Sequence, residues 1–103
     1  MYTEKDFESI DDKNFTASDK TATHIILKSN STGHFWDVEC RELRHGQQQL
    51  VISHRHNETD PFHRQPNMHP KTVAEAMEMI KKHDDWFLEK KTEKKKRSAE
   101  KRN

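Results

Sequence analysis

The last third of the chain carries the signal that most restricts its fold, a long helix that is apolar on one side. Between Lys71 and Asn103 there is neither proline nor glycine, the residues that most often interrupt helices. The segment opens with Thr72-Val73-Ala74-Glu75, which has the pattern of a capping box. Such a helix needs a second layer of structure to cover its apolar stripe. The residues of that stripe are Val73, Ala76, Met77, Ile80 and Phe87, widened by Met79, His83 and Trp86.

The middle of the chain predicts the second layer as β-strands. Residues 23–28 form a short apolar run rich in β-branched side chains, followed by a polar turn that ends at Gly33. Residues 34–41 alternate between apolar and polar side chains, and after a turn at Gly46 residues 48–56 continue as a third strand. In the second strand Trp36, Val38 and Cys40 share one face, and Asp37, Glu39 and Arg41 share the other.

These segments predict an α+β fold, in which a small three-stranded antiparallel meander sheet packs against one long C-terminal helix. Thr3 to Asp6 resembles a helix start, and Phe7 and Ile10 follow at a spacing of three, so a short N-terminal helix is expected. All three prolines fall in residues 57–70, which are expected to form a loop. The chain then divides into an acidic N-terminal segment, 1–20, a single α+β domain, 21–88, and a basic helical or flexible tail, 89–103.

Length and composition limit the functions that such a chain can have. A chain of 103 residues holds one compact domain, and 29% hydrophobic against 36% charged residues implies a small core. One cysteine, Cys40, cannot form an internal disulfide, and no secretory signal is recognised, so a cytoplasmic location is expected. No segment approaches the roughly 18 apolar residues of a membrane span, so no membrane partner is expected.

Histidine is the first candidate for chemistry. Four of the eight histidines, His54, His56, His63 and His69, lie close together in the sequence, and the first two share a strand face about 7 Å apart. With His63 or His69 as a third ligand they would form an open Zn²⁺ site. Two alternatives stay open: polar histidines around a sheet edge, or a patch that gains positive charge as the pH falls.

The second candidate is a surface for a macromolecular partner, either nucleic acid or protein. Residues 89–103 contain eight basic and three acidic side chains, which suits phosphate contact without sequence recognition, although a simple solvated extension has the same composition. Exposed aromatic and basic residues of the outer sheet face and the loop would extend such a surface. The tail residues are Lys90, Lys91, Lys94, Lys95, Lys96 and Arg97, and the surface residues are Phe35, Arg41 and Phe62.

No enzyme motif is present: the two glycines form no phosphate loop, and no nucleophile elbow or helical two-histidine zinc motif occurs. The order α-β-β-β-α resembles that of double-stranded-RNA-binding domains, and the Thr-x-x-Glu-Ala helix after a meander resembles HicB-type antitoxins, in topology alone. The sequence therefore predicts a small, non-enzymatic, cytoplasmic binding or regulatory protein associated with nucleic acid through its tail. The alternatives are a protein-interaction module, such as an inhibitor, adaptor or antitoxin, and a metal-binding protein. Homodimerisation through an uncovered sheet face or edge is also open.

Overall fold

The computed structural model describes the backbone of residues 1–100 and the side chains of residues 1–92. It is an α+β structure with an antiparallel sheet and a C-terminal helix, as the sequence predicts. The elements are α1 (Glu4–Glu8), β1 (Phe15–Lys20), β2 (His24–Ser29), β3 (Phe35–Glu42), a short 3₁₀ turn (Arg44–Gly46), β4 (Gln48–Arg55), β5 (His63–Arg64) and α2 (Val73–Glu100).

The prediction of three strands is wrong, because the sheet has five strands in the order β1-β2-β3-β4-β5. In β1 only Phe15 is buried, so its sequence lacks the apolar alternation that marks a strand. It is held by backbone pairing to β2, with Phe15 opposite Ser29. β5 is a two-residue strand inside the predicted loop, pairing with β4 at Ser53 and His54. Both additions lie at the sheet edges, where short strands and polar side chains are common.

A capping hydrogen bond marks the start of each helix. At α2 the Glu75 backbone N–H donates to Thr72 Oγ1 at 3.1 Å, so the expected start of the long helix is confirmed. At α1 the Thr3 backbone N–H donates to Asp6 Oδ2 at 2.8 Å.

Within the described residues, no helix combines the length and the apolar character that crossing a membrane requires.

The core lies between the inner face of the sheet and α2. Trp36 is the largest of the fully buried side chains, and Cys40 is buried on the same face of β3, as expected. Trp86, which widens the helical stripe in the sequence, is 53% exposed and lies outside the core. The central buried residues are Ile25, Leu27, Trp36, Val38 and Ile52 from the sheet with Val73, Ala76, Met77 and Ile80 from α2.

Candidate metal centre

At one end of the inner face, where β3 begins and β4 ends, imidazole rings replace the aliphatic side chains of the core. Gly33, at φ +76°, has the left-handed conformation that favours glycine, and the chain turns there into β3. His34 directly precedes β3, His54 lies in β4 and His56 follows β4. The register pairs Trp36 with His54, so the two-residue period places His34 opposite His56. These last two rings are stacked, with centroids 4.0 Å apart.

The three histidines have nitrogen atoms at distances suited to one metal ion. His54 Nε2 lies 3.2 Å from His34 Nδ1. One nitrogen from each of His34, His54 and His56 can be chosen so that all three lie within 4.8 Å of one another. Two nitrogens bound to a tetrahedral Zn²⁺ are about 3.3 Å apart, given Zn–N bonds of about 2.0–2.1 Å. The closer pair is therefore already at ligand spacing, and His56 is the exposed member of the set.

Burial keeps two of these rings neutral. His34 and His54 are only 6% and 7% exposed. Burial, reinforced by the neighbouring imidazoles, lowers the pKa of both His34 and His54 to about 4. The neutral ring is the form that binds a metal through its lone pair, so neither ring has to lose an imidazolium proton near pH 7. The two facing nitrogens share a hydrogen bond, so one of them carries an N–H and that ring would have to change tautomer to ligate.

Aromatic side chains fix the buried rings from several sides. Trp36 stacks on His54 with centroids 4.0 Å apart, and its Nε1–H donates to Ser29 Oγ at 3.0 Å. From α2, Phe87 meets His34 edge-on at 4.6 Å, and His83 lies 5.3 Å from His54. His83 Nδ1 is buried without a hydrogen-bond partner, and burial lowers the pKa of this ring. The inner side of the cluster is therefore packed against aromatic rings, and its outer side is exposed at His56.

A buried carboxyl group ties the loop before His34 to the helix. Asp84 of α2 is 3% exposed and accepts a hydrogen bond from Thr32 Oγ1 at 3.4 Å. Thr32 Oγ1 in turn accepts a bond from the His34 backbone N–H at 3.2 Å. Burial raises the pKa of Asp84. Its neighbour Asp85 is exposed, so the two adjacent carboxyl groups have different surroundings.

The structure brings together two of the four predicted metal ligands and adds one. His54 and His56 share the cluster, and His34 is the third member instead of His63 or His69. His63 is an exposed residue opposite His54, in a groove that also contains His56. His69 lies toward the other end of β4, in a cavity beside Leu50. His34 could have been found, because it is in phase with Trp36 along β3.

The predicted partner-binding residues divide into separate places. Phe35 and Phe62 flank Arg55 on the outer side of the sheet, with ring centroids 5.1 and 4.3 Å from its guanidinium carbon. Arg41 lies toward the far end of β3 and donates to Glu39 Oε1 at 3.0 Å. Lys90 and Lys91 are exposed on α2. The side chains of Lys94, Lys95, Lys96 and Arg97 lie outside the described residues.

Comparison with known proteins finds no match for this chain among protein-family models, curated proteins or solved structures.

Proposed function

We propose that this protein binds a divalent transition metal ion, with Zn²⁺ as the first candidate, through His34, His54 and His56. The observation that supports the proposal best is the convergence of three imidazole nitrogens within 4.8 Å. Imidazole suits Zn²⁺, and three protein ligands with a free fourth position is the pattern of open zinc sites. His56 is the exposed member of the set, so a bound ion would be reached by water or a partner group from that side.

The proposed role is binding, and not catalysis, because the sequence contains none of the motifs that carry nucleophilic or phosphoryl-transfer chemistry. A bound ion would cross-link the start of β3 to the end of β4 and order the turn that precedes His34. A cytoplasmic location is part of the same proposal, supported by the single cysteine, Cys40, which is buried and makes no disulfide.

Zinc is expected to stabilise the fold. At a free Zn²⁺ concentration one hundred times its Kd, binding adds about 2.7 kcal/mol, which corresponds to about 10 °C or more in Tm for a domain of this size. The measurement is thermal unfolding in a chelator and at increasing Zn²⁺. His34→Ala is expected to abolish the zinc-dependent shift, whatever its effect on the starting Tm.

His69→Ala is the matched control, since His69 lies away from the cluster, and it should keep the full shift. No shift in the natural protein, or an undiminished shift in His34→Ala, would contradict the metal proposal.

Association with nucleic acid is a second candidate, supported by the course of α2. This helix runs to Glu100, well past Leu88, where the apolar stripe ends, and Lys90 and Lys91 are exposed on that extension. Basic side chains on a helix neutralise phosphates and release counterions, so affinity falls as salt rises. Binding of mixed-sequence RNA and DNA to the full chain should weaken at least tenfold between 50 and 200 mM salt, and a chain ending at Glu89 should bind more weakly at both. Salt-independent binding, or equal binding by both chains, would argue against this role.

A further inference from the structure

A row of alternating cations and aromatic rings crosses the outer face of the sheet. The registers place Lys28 of β2 opposite Phe35 of β3, and Phe35 opposite Arg55 of β4. Lys28 Nζ is 5.9 Å from the centroid of the Phe35 ring, and the Arg55 guanidinium carbon is 5.1 Å from it. Phe62, from the loop before β5, contacts Arg55 from a second direction at 4.3 Å. We refer to Lys28, Phe35, Arg55 and Phe62 as the outer row.

Arg55 is positioned but not neutralised. Its guanidinium is held by two aromatic rings, and its Nε is buried with no hydrogen-bond partner. Among the described side chains no carboxylate lies within ion-pair distance of Arg55. Asp37, in the neighbouring row of the same face, is 3.0 Å from His24 Nδ1 and is engaged there. Arg55 is therefore a positioned cation without an ion-pair partner among the described side chains, although Asp60 lines the same groove.

An oxyanion is the ligand that such an arginine suits. A guanidinium offers planar, paired N–H donors that match the oxygens of a phosphate. With Nε buried, the two Nη groups of Arg55 are the donors left for an anion. Because both rings already restrict the side chain, little conformational entropy is lost when the anion binds. Arg64 adds a second positive charge, since β5 pairs it with Ser53, two residues before Arg55 on the same outer side.

We propose that the outer row is a contact surface for single-stranded nucleic acid, with Arg55 binding a backbone phosphate. Lys28 and Arg64 add attraction for neighbouring phosphates, and Phe35 and Phe62 give the bases apolar rings to contact. An acidic peptide would use the cations but would gain little from the rings, so the alternation favours a nucleic-acid strand. The inference rests on the second candidate function, and it is independent of the metal proposal because it uses none of the metal-binding histidines.

The test is fluorescence anisotropy of a labelled, mixed-sequence, single-stranded 20-nucleotide RNA with the full chain at 50 mM salt. Arg55→Gln is expected to weaken binding at least tenfold, and Phe62→Ala several-fold. The Arg55→Lys variant keeps the charge but loses the planar donors, so its affinity for the RNA should lie between those of the natural protein and Arg55→Gln. Arg41→Gln is the matched control, because Arg41 is on the same face but pairs with Glu39, and it should change affinity less than twofold.

Each outcome decides a different question. If the natural protein binds and both Arg55 variants bind equally well, the outer row is not the contact surface, whereas nucleic-acid association itself stands. If the natural protein does not bind RNA at low salt, the nucleic-acid association and the outer-row contact surface are both contradicted. If inorganic phosphate displaces the RNA at a concentration equal to that of RNA phosphate, the outer row is a simple anion site. If poly-glutamate binds more tightly than RNA, it is a site for acidic peptides. Either result would overturn the inference. Circular dichroism of each variant confirms that it is folded.

Discussion

Replacing Trp36 by alanine is expected to lower the free energy of unfolding by about 3–5 kcal/mol. Trp36 is fully buried in the centre of β3 and stacks on His54. Its removal would leave a cavity between the sheet and α2, and Ser29 Oγ would lose the indole N–H that donates to it. For a small domain a loss of this size lowers Tm by about 12 °C or more.

Trp86→Ala provides the control, because it removes the same side chain from a position that is 53% exposed. That change should cost less than about 1 kcal/mol. Urea unfolding monitored by far-ultraviolet circular dichroism gives both values without relying on tryptophan fluorescence. Equal losses for the two variants would contradict the packing described for β3 and α2.

Lowering the pH from 7 to 4.5 is expected to reduce the free energy of unfolding of the metal-free protein by on the order of 3 kcal/mol. His34 and His54 have their pKa lowered from 6.5 to about 4 by burial. Between those values the unfolded chain binds more protons than the folded one. The contribution of these two neutral rings to the free energy of unfolding is therefore fully present above about pH 6.5 and is lost as the pH falls toward 4. His83, whose pKa is also lowered by burial, acts in the same direction.

Two groups oppose this trend. The hydrogen bond to Asp37 raises the pKa of His24, so its contribution is largest below the ordinary histidine pKa and is lost as the pH rises. Burial raises the pKa of Asp84, so the folded protein takes up a proton there more readily than the unfolded chain does. His24 is partly exposed, which keeps its effect small.

Urea unfolding in a chelator at several pH values measures the net effect. His34→Gln removes one of the two strongly shifted groups and should reduce the loss by about half, whereas His24→Gln removes an opposing group and should increase it. A free energy of unfolding that is the same at pH 7 and pH 4.5 would contradict the burial of these imidazoles.

The elements with strong periodicity could be predicted from the sequence, and the edge strands could not. Trp36, Val38 and Cys40 alternate with charged residues, and this marks β3 as a half-buried strand. The Thr72–Glu75 cap likewise marks the start of α2. β1 has only one fully buried side chain, and β5 has two exposed residues, so their positions depend on backbone pairing that no local pattern encodes.

Two of the three histidines of the candidate metal centre could be predicted from residue spacing alone, and the third could not. Residue spacing is sufficient to place His54 and His56 on one side of a strand. The third histidine depends on the register between β3 and β4, which pairs Trp36 with His54 and so brings His34 to His56. The register between strands is a tertiary property that local sequence does not encode. Spacing along the chain therefore favoured His63 or His69 as the third ligand, in place of His34.

The most direct test of metal binding is a crystal structure of the zinc-loaded protein with anomalous scattering recorded at the zinc edge. The expected result is one anomalous peak per chain, about 2.0–2.1 Å from a nitrogen of each of His34, His54 and His56. A peak held by other residues, such as His63 and His69 without His34, or no peak between β3 and β4, would contradict the proposed centre.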